Sequence, residues 1–227
     1  MNDPDIIYPI TTVDVVLLTI SSGQLCVLLL KREQDPFKGS WALPGGWVRT
    51  NEDETVEAAA HRVLRDKVGM PPYHLEQLGV FSGASRDPRG WSLSVSHLAL
   101  VPHEELEDLD QAHVSLFPVE EALKAAAAFR HDEIIAAALQ RLRGKGAYSS
   151  LPASLLQDGF SLAQLHQVYE IISGEEINSA SFRRKVLDLG FIEETGESRI
   201  MPGHKKPSVL YRVTDRARTF HRTLTQV

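Results

Sequence analysis

A single cysteine, Cys26, among 227 residues excludes an internal disulfide, so the fold must hold by core packing alone. That cysteine lies in the apolar run "QLCVLLLK", the composition of a buried strand, with no activating motif around it. Long apolar runs are also missing. Nothing approaches the roughly 18 residues that cross a bilayer, and the opening "MNDPDIIYPI" lacks a basic segment followed by an apolar one. A membrane partner is therefore not expected, and the chain is expected to be cytoplasmic. Positive charge is scarce in one part only. From Leu151 onward ten Lys or Arg face nine Asp or Glu, a balance of +1 that leaves -7 of the net -6 to the residues before it. An acidic total does not exclude nucleic acid as a partner, because what counts is whether basic residues gather on one face.

What is present is an ordinary globular composition, 43% apolar and 24% charged. "TTVDVVLLTI" and "QLCVLLLKR", joined by "SSGQ", predict a hairpin of two strands. A Gly- and Pro-punctuated loop, "PFKGSWALPGGW", precedes a helix expected from Glu54 to Val68, with Val56, Ala60, Val63 and Leu64 on one side. Strands follow at "LEQLGVFSG" and "WSLSVSHLALV". The alanine-rich stretch from Val119 then predicts two helices ending at Gly144 or Gly146. This order describes an α/β or α+β domain ending near residue 145.

"GKGAYSSLPAS" reads as a linker, placing the domains at 1–147 and 148–227. Beyond it, Ser161 and Gln164 form a capping box ahead of Leu162, Leu165, Val168, Tyr169 and Ile172 at helical spacing. "INSASFRRKVLDLGF" repeats the design, with Ser179 as the expected N-cap and Gly190 as the stop. Two expected strands, "FIEET" and "SVLYRV", flank "GESRIMPGHKKP". Two short helices followed by a ribbon with a basic tip is the order of a winged helix-turn-helix.

The stretch from Gly46 resembles the Nudix box, Gly, five residues, Glu, seven residues, Arg-Glu-apolar-x-Glu-Glu-x-Gly-apolar. Gly69 and Met70 close the pattern, Arg62 takes the Arg position and Glu54 the early Glu, while "WVRTNED" carries a two-residue insertion. In that box, carboxylates on one helix face hold Mg²⁺ against a diphosphate. Here the three places read Val63, Asp66 and Lys67, so their formal charge changes from -3 to zero. A +1 charge about 4 Å from a +2 ion costs roughly 8 kcal/mol at an effective dielectric near 20, which opposes tight binding of a catalytic metal. Glu54 and Asp66 remain as residual metal candidates.

"SRDPRGWSLSV" adds two guanidiniums, Arg86 and Arg89, around a turn built on Pro88 and Gly90, with Trp91 opening the next strand. Such a loop is either a solvated basic turn or a phosphate clamp with a stacking ring. Trp41 and Trp47 bracket the Gly-Gly turn as core residues or as ligand platforms. In the second domain, Ser179, Ser181, Arg183, Arg184 and Lys185 fall in the first turns of the predicted recognition helix, and Lys205 and Lys206 at the ribbon tip. His204 beside them is a further candidate phosphate contact.

Both halves together closely resemble the Nudix-related transcriptional regulators of NAD metabolism, the NrtR family, over nearly the whole chain. The resemblance implies a Nudix-fold α/β/α sandwich with a mixed sheet, followed by a small winged helix-turn-helix domain. It implies a homodimer that represses NAD-biosynthetic genes and leaves double-stranded operator DNA when ADP-ribose fills the former catalytic pocket. The "SRDPRG" loop is similar to that of Nudix proteins handling ADP-ribose, and the implied ligand set is Arg32, Trp41, Gly45, Gly46, Arg86, Arg89 and Trp91. No cofactor is required on this reading. Mg²⁺ enters only under the alternative of an active hydrolase of ADP-ribose or a similar nucleoside diphosphate, using Asp66 with Glu54 or Glu57. A third alternative is an interaction module with a dead pocket.

Overall fold

A computed structural model describes residues 8–107, 109, 113–126, 128–203, 205–216, 218–221, 223 and 224. The predicted hairpin forms as β1 (Ile10–Ser21) and β2 (Gln24–Lys31). Ser22 and Gly23 both take positive φ, the geometry by which a two-residue loop follows the twist of its strands. β1 is buried continuously from Thr12 to Thr19, as expected of a strand covered on both faces. One charged residue, Asp14, stands inside that run and is 5% exposed.

Two short strands that the sequence reading passed over, β3 (Trp41–Ala42) and β4 (Gly45–Trp47), add to the sheet from the Gly- and Pro-rich loop. β4 pairs antiparallel with β1, setting Gly45 opposite Asp14 and Gly46 opposite Val13. After helix α1 (Val56–Val68) come β5 (His74–Asp87) and β6 (Gly90–Leu100). The main sheet runs β3-β2-β1-β6-β5, and β7 (Val114–Pro118) pairs antiparallel with β2. Thr12 bonds to Leu93 and Leu18 to Val101, so the partners advance together and β1 and β6 run parallel. The sheet is therefore mixed, as the fold class required.

The alanine-rich stretch gives α2 (Val119–Ala125) and α3 (His131–Gly146). Between them Phe129 and Arg130 adopt φ of 53° and 58°, a left-handed conformation that breaks the helix and that large side chains adopt only under constraint. α1 begins at Val56, two residues later than predicted, because the Thr55 hydroxyl accepts from the Ala58 N–H and fixes the start.

The chain divides into two compact units. One gathers Met1–Leu17, Cys26–Ala99 and Leu109–Ala138; the other gathers Leu18–Leu25, Leu100–Asp108 and Leu139–Val227. In the second unit the stretch expected to be a linker is in part a buried 3₁₀ turn, Leu151–Leu155, and Ala153 belongs to the core. α4 (Leu162–Ser173) opens with the full capping box at Ser161 and Gln164 and closes on Gly174 in the left-handed region. α5 (Ser179–Leu189) is capped by Asn178, not Ser179: the Asn178 side chain accepts from the Ser181 N–H, which makes Ser179 the first helical residue. β8 (Ile192–Ile200) and β9 (Pro207–Val213) form the ribbon. Phe160, Tyr169, Phe182 and Phe191 fill the core, and the Tyr169 hydroxyl donates to the Ser149 carbonyl at 2.8 Å.

Candidate functional site

The Gly-Gly turn, the end of β5 and the break before α3 enclose a cavity of about 620 Å³ in the first unit. Arg32, Trp47, Lys67, Arg86, Arg89 and Phe129 line it together with Asp14, Asp87 and His131. That size suits a small molecule rather than a macromolecule.

The floor is a buried charge cluster. Arg86 donates from a terminal guanidinium nitrogen to Asp14, and both side chains are nearly inaccessible. His131 Nε2 lies 3.5 Å from the other Asp14 oxygen, while its Nδ1 accepts from the Leu43 N–H at 2.9 Å. Burial alone would push the Asp14 carboxyl upward, but His131 and Arg86 more than offset this and hold it well below the usual carboxylate range. The wall is built from a second pair. Asp87 accepts from Arg89 Nε at 2.9 Å and from a terminal nitrogen at 2.7 Å, and the same guanidinium stands 5.3 Å from the Trp47 ring and 5.8 Å from Phe129. Arg32 lies 4.7 Å from the Phe129 ring, with Phe37 packed edge-on behind it at 4.9 Å. The left-handed backbone at Phe129 is what turns that ring toward two guanidiniums.

α1 brings no carboxylate cage to this cavity. Val63 is 1% exposed and packs toward the Gly46 backbone, where an added Cβ would meet its Cγ2 at 3.4 Å. Asp66 is exposed and faces Arg65 at 3.4 Å. Lys67 runs along the exposed side of the helix, but its ammonium reaches the cavity and donates to the Gly45 carbonyl. Desolvation there lowers the Lys67 pKa, with Arg32 and Arg62 adding to the effect and Asp14 opposing it. Among the described residues no group of three His, Cys, Asp or Glu is placed to hold a metal ion. With Val63 and Lys67 standing where the box has carboxylates, the residues present do not fit the Mg²⁺ of a Nudix enzyme.

Arg62, which keeps the Arg position of the box, serves the scaffold. It donates to both Asp53 oxygens at 2.7 and 2.8 Å and to the Trp47 carbonyl at 2.9 Å, pinning the inserted loop to α1. Hydrogen bonding to Arg62 is the main reason that the Asp53 carboxyl is lowered to about 2. A depressed acid contributes stability above its unfolded pKa and loses it as pH falls through the folded value. Asp53→Asn is therefore expected to cost roughly 2 kcal/mol at pH 7 and to remove the corresponding loss between about pH 4 and 2, measurable by urea denaturation across that range.

In the second unit α5 presents Ser179, Arg183 and Arg184 to solvent, while Phe182 and Val186 anchor its opposite face. Lys185 departs from the expected set. It is half-buried, and its ammonium lies 3.4 Å from the Thr223 carbonyl. Ser181 is half-buried too, its N–H held by the Asn178 cap. Lys205 and Lys206 are exposed between the ribbon strands; His204 lies outside the described residues.

Residues 9–138 match the NUDIX domain and residues 152–213 the NrtR DNA-binding winged helix domain. The chain is 39% identical over 206 residues, 90% of its length and 82% of the relative's, to the ADPR responsive transcriptional repressor NtrR of Acinetobacter baylyi. The chain belongs to the NrtR family. Shewanella oneidensis NrtR, solved in complex with a 27mer DNA, superposes with a TM-score of 0.88 at 36% identity, over 94% of this chain and 99% of that one. The NUDIX domain of the same protein complexed with ADP ribose superposes with a TM-score of 0.55 at 36% identity, over 62% of this chain and 94% of that one.

Within this NrtR-family fold the cavity gathers five of the seven residues expected to bind ligand: Arg32, Gly45, Gly46, Arg86 and Arg89. Trp41 instead packs edge-on against Phe117 at 5.0 Å, and Trp91 is 48% exposed outside the cavity lining. Asp14, Phe129 and His131 were missed. A lone aspartate inside "VDVVLL" and the "FRH" interrupting an alanine-rich helix were the available signals.

Proposed function

We propose that this protein is a cytoplasmic transcriptional repressor of NAD-metabolism genes that binds double-stranded operator DNA as a homodimer and releases it when ADP-ribose fills the Nudix pocket. The observation that carries the reading is one chain joining a cation-lined cavity, with Lys67 at a carboxylate position of the box, to an exposed Arg183 and Arg184 on the second helix of a winged-helix domain. The cavity chemistry suits a nucleoside diphosphate sugar. Guanidinium and ammonium groups meet phosphate oxygens, and the half-exposed Trp47 offers a face for a base. No helix among the described residues is long and apolar enough to cross a membrane.

On this reading the pocket binds its signal without cleaving it and requires no cofactor, which lets the ligand persist and favour one state of the dimer. The working boundary between sensing and DNA-binding parts falls at 147/148. Calorimetry with ADP-ribose, with and without Mg²⁺ and with product analysis of the same sample, tests it together with an operator gel shift. Saturable binding, intact ADP-ribose and ligand-dependent release of DNA are expected. Mg²⁺-dependent formation of AMP and ribose 5-phosphate would instead assign a hydrolase.

A further inference from the structure

The helix face that holds a divalent cation in a hydrolase of this fold holds a side-chain cation here. Lys67 occupies the last of the three box positions, and its ammonium donates to the carbonyl oxygen of Gly45 while lining the cavity. A backbone carbonyl is the kind of hard oxygen donor that otherwise ligates Mg²⁺. The neighbouring gap is closed by carbon, since Val63 packs toward the Gly46 backbone.

Charge balance in the cavity points the same way. Arg86 is matched by Asp14 and Arg89 by Asp87. Arg32 and Lys67 instead donate to neutral backbone carbonyls: Arg32 to those of Pro36 and Gln34, Lys67 to that of Gly45. Desolvation is the main cause that disfavours the protonated form of Lys67; Asp14 opposes it, and Arg32 adds to it as a second positive group facing the same cavity. An anion with two negative centres placed between them removes that repulsion and replaces weak neutral partners with charge-assisted ones.

We propose that the Lys67 ammonium acts as a tethered substitute for the divalent metal, neutralising the diphosphate of the bound nucleotide together with Arg32, so that ligand binding is independent of metal. This rests on the ADP-ribose reading for the identity of the nucleotide, but the assignment concerns any diphosphate. A tethered ammonium supplies the charge without polarising a water toward attack, which is what a sensor of an intact ligand needs.

The test is calorimetry on the full chain with ADP-ribose and, separately, inorganic pyrophosphate, in EDTA and in millimolar Mg²⁺. The wild-type Kd for ADP-ribose is expected to be the same within about twofold in both buffers. Lys67→Met should weaken both ligands by roughly tenfold or more, a loss equal to about 1.4 kcal/mol, and should flatten the salt dependence of binding. Lys67→Arg should retain most of the affinity. Thermal unfolding of the variants separates this from a purely structural latch on the Gly-Gly turn: a latch alone lowers the unfolding temperature and leaves the salt dependence of Kd unchanged. Wild-type binding that requires Mg²⁺, or undiminished affinity of Lys67→Met in EDTA, overturns the proposal. If pyrophosphate binds through Lys67 but ADP-ribose does not bind at all, the ligand reading fails and the lysine assignment stands. If neither ligand binds the wild type, both fall.

Discussion

Replacing Arg183 and Arg184 together by alanine is expected to reduce operator affinity on the order of 100-fold or more while leaving ADP-ribose binding within a factor of two. The two guanidiniums project from the first turns of α5, whose N-terminus also carries the positive end of the helix dipole. A good bidentate contact to a base is worth about 1–3 kcal/mol, and a phosphate contact adds salt-dependent affinity. Neither arginine anchors the fold, because Phe182 and Val186 supply the buried side of α5. The double variant should therefore unfold at the wild-type temperature. Gel shifts against specific and scrambled duplexes at several salt concentrations decide between roles. A uniform loss with a shallower salt slope assigns the pair to phosphates; a loss confined to the specific duplex assigns it to base edges. Full retention of affinity would remove α5 from the DNA interface.

Lys185 belongs to a different experiment. Sequence spacing placed it with the two arginines, but helical geometry carries it about 100° round from Arg184, toward Thr223. Its replacement is expected to loosen the C-terminal segment before it weakens DNA contact.

That contrast shows where sequence was informative. The hairpin, the capping box at Ser161 and the stop at Gly190 were legible because each is set by residues within a few positions of one another. That Val63, Asp66 and Lys67 share one helix face was legible for the same reason, since they stand at i, i+3 and i+4. What sequence did not supply was the partner of each charge. Arg86 and Asp14 are 72 positions apart, and His131 reaches the same carboxylate from the start of α3. Only the sheet order and the break at Phe129 bring them together. The side taken by each tryptophan was not legible, because an aromatic beside a Gly-rich turn has no fixed side: strand pairing decided that Trp47 lines the cavity and that Trp41 faces Phe117.

Asp14→Ala is expected to destabilise the first unit by about 3–5 kcal/mol, because it leaves the buried Arg86 guanidinium without its counter-charge. For a protein of this size the unfolding temperature should fall on the order of 10 °C. Arg86→Met removes the other partner and should cost a similar amount, whereas Asp14→Ala combined with Arg86→Met leaves neither partner of the pair unmatched and should recover much of the loss. A double-mutant cycle in urea measures that coupling; additive costs would show that the pair is not energetically linked. Acid titration gives an independent reading. In the wild type Asp14 is held below the usual carboxylate range, so its contribution is present above the unfolded pKa and lost as pH falls toward the folded value. Without Arg86 the desolvation that opposes ionisation weighs more, so acid unfolding should shift to higher pH. The cycle also decides what Arg86 does for the ligand. Loss of ADP-ribose in Arg86→Met alone confounds binding with folding; loss in the stable double variant assigns the guanidinium to the phosphates. Retained binding there leaves Arg86 as the group that positions Asp14 beneath the pocket.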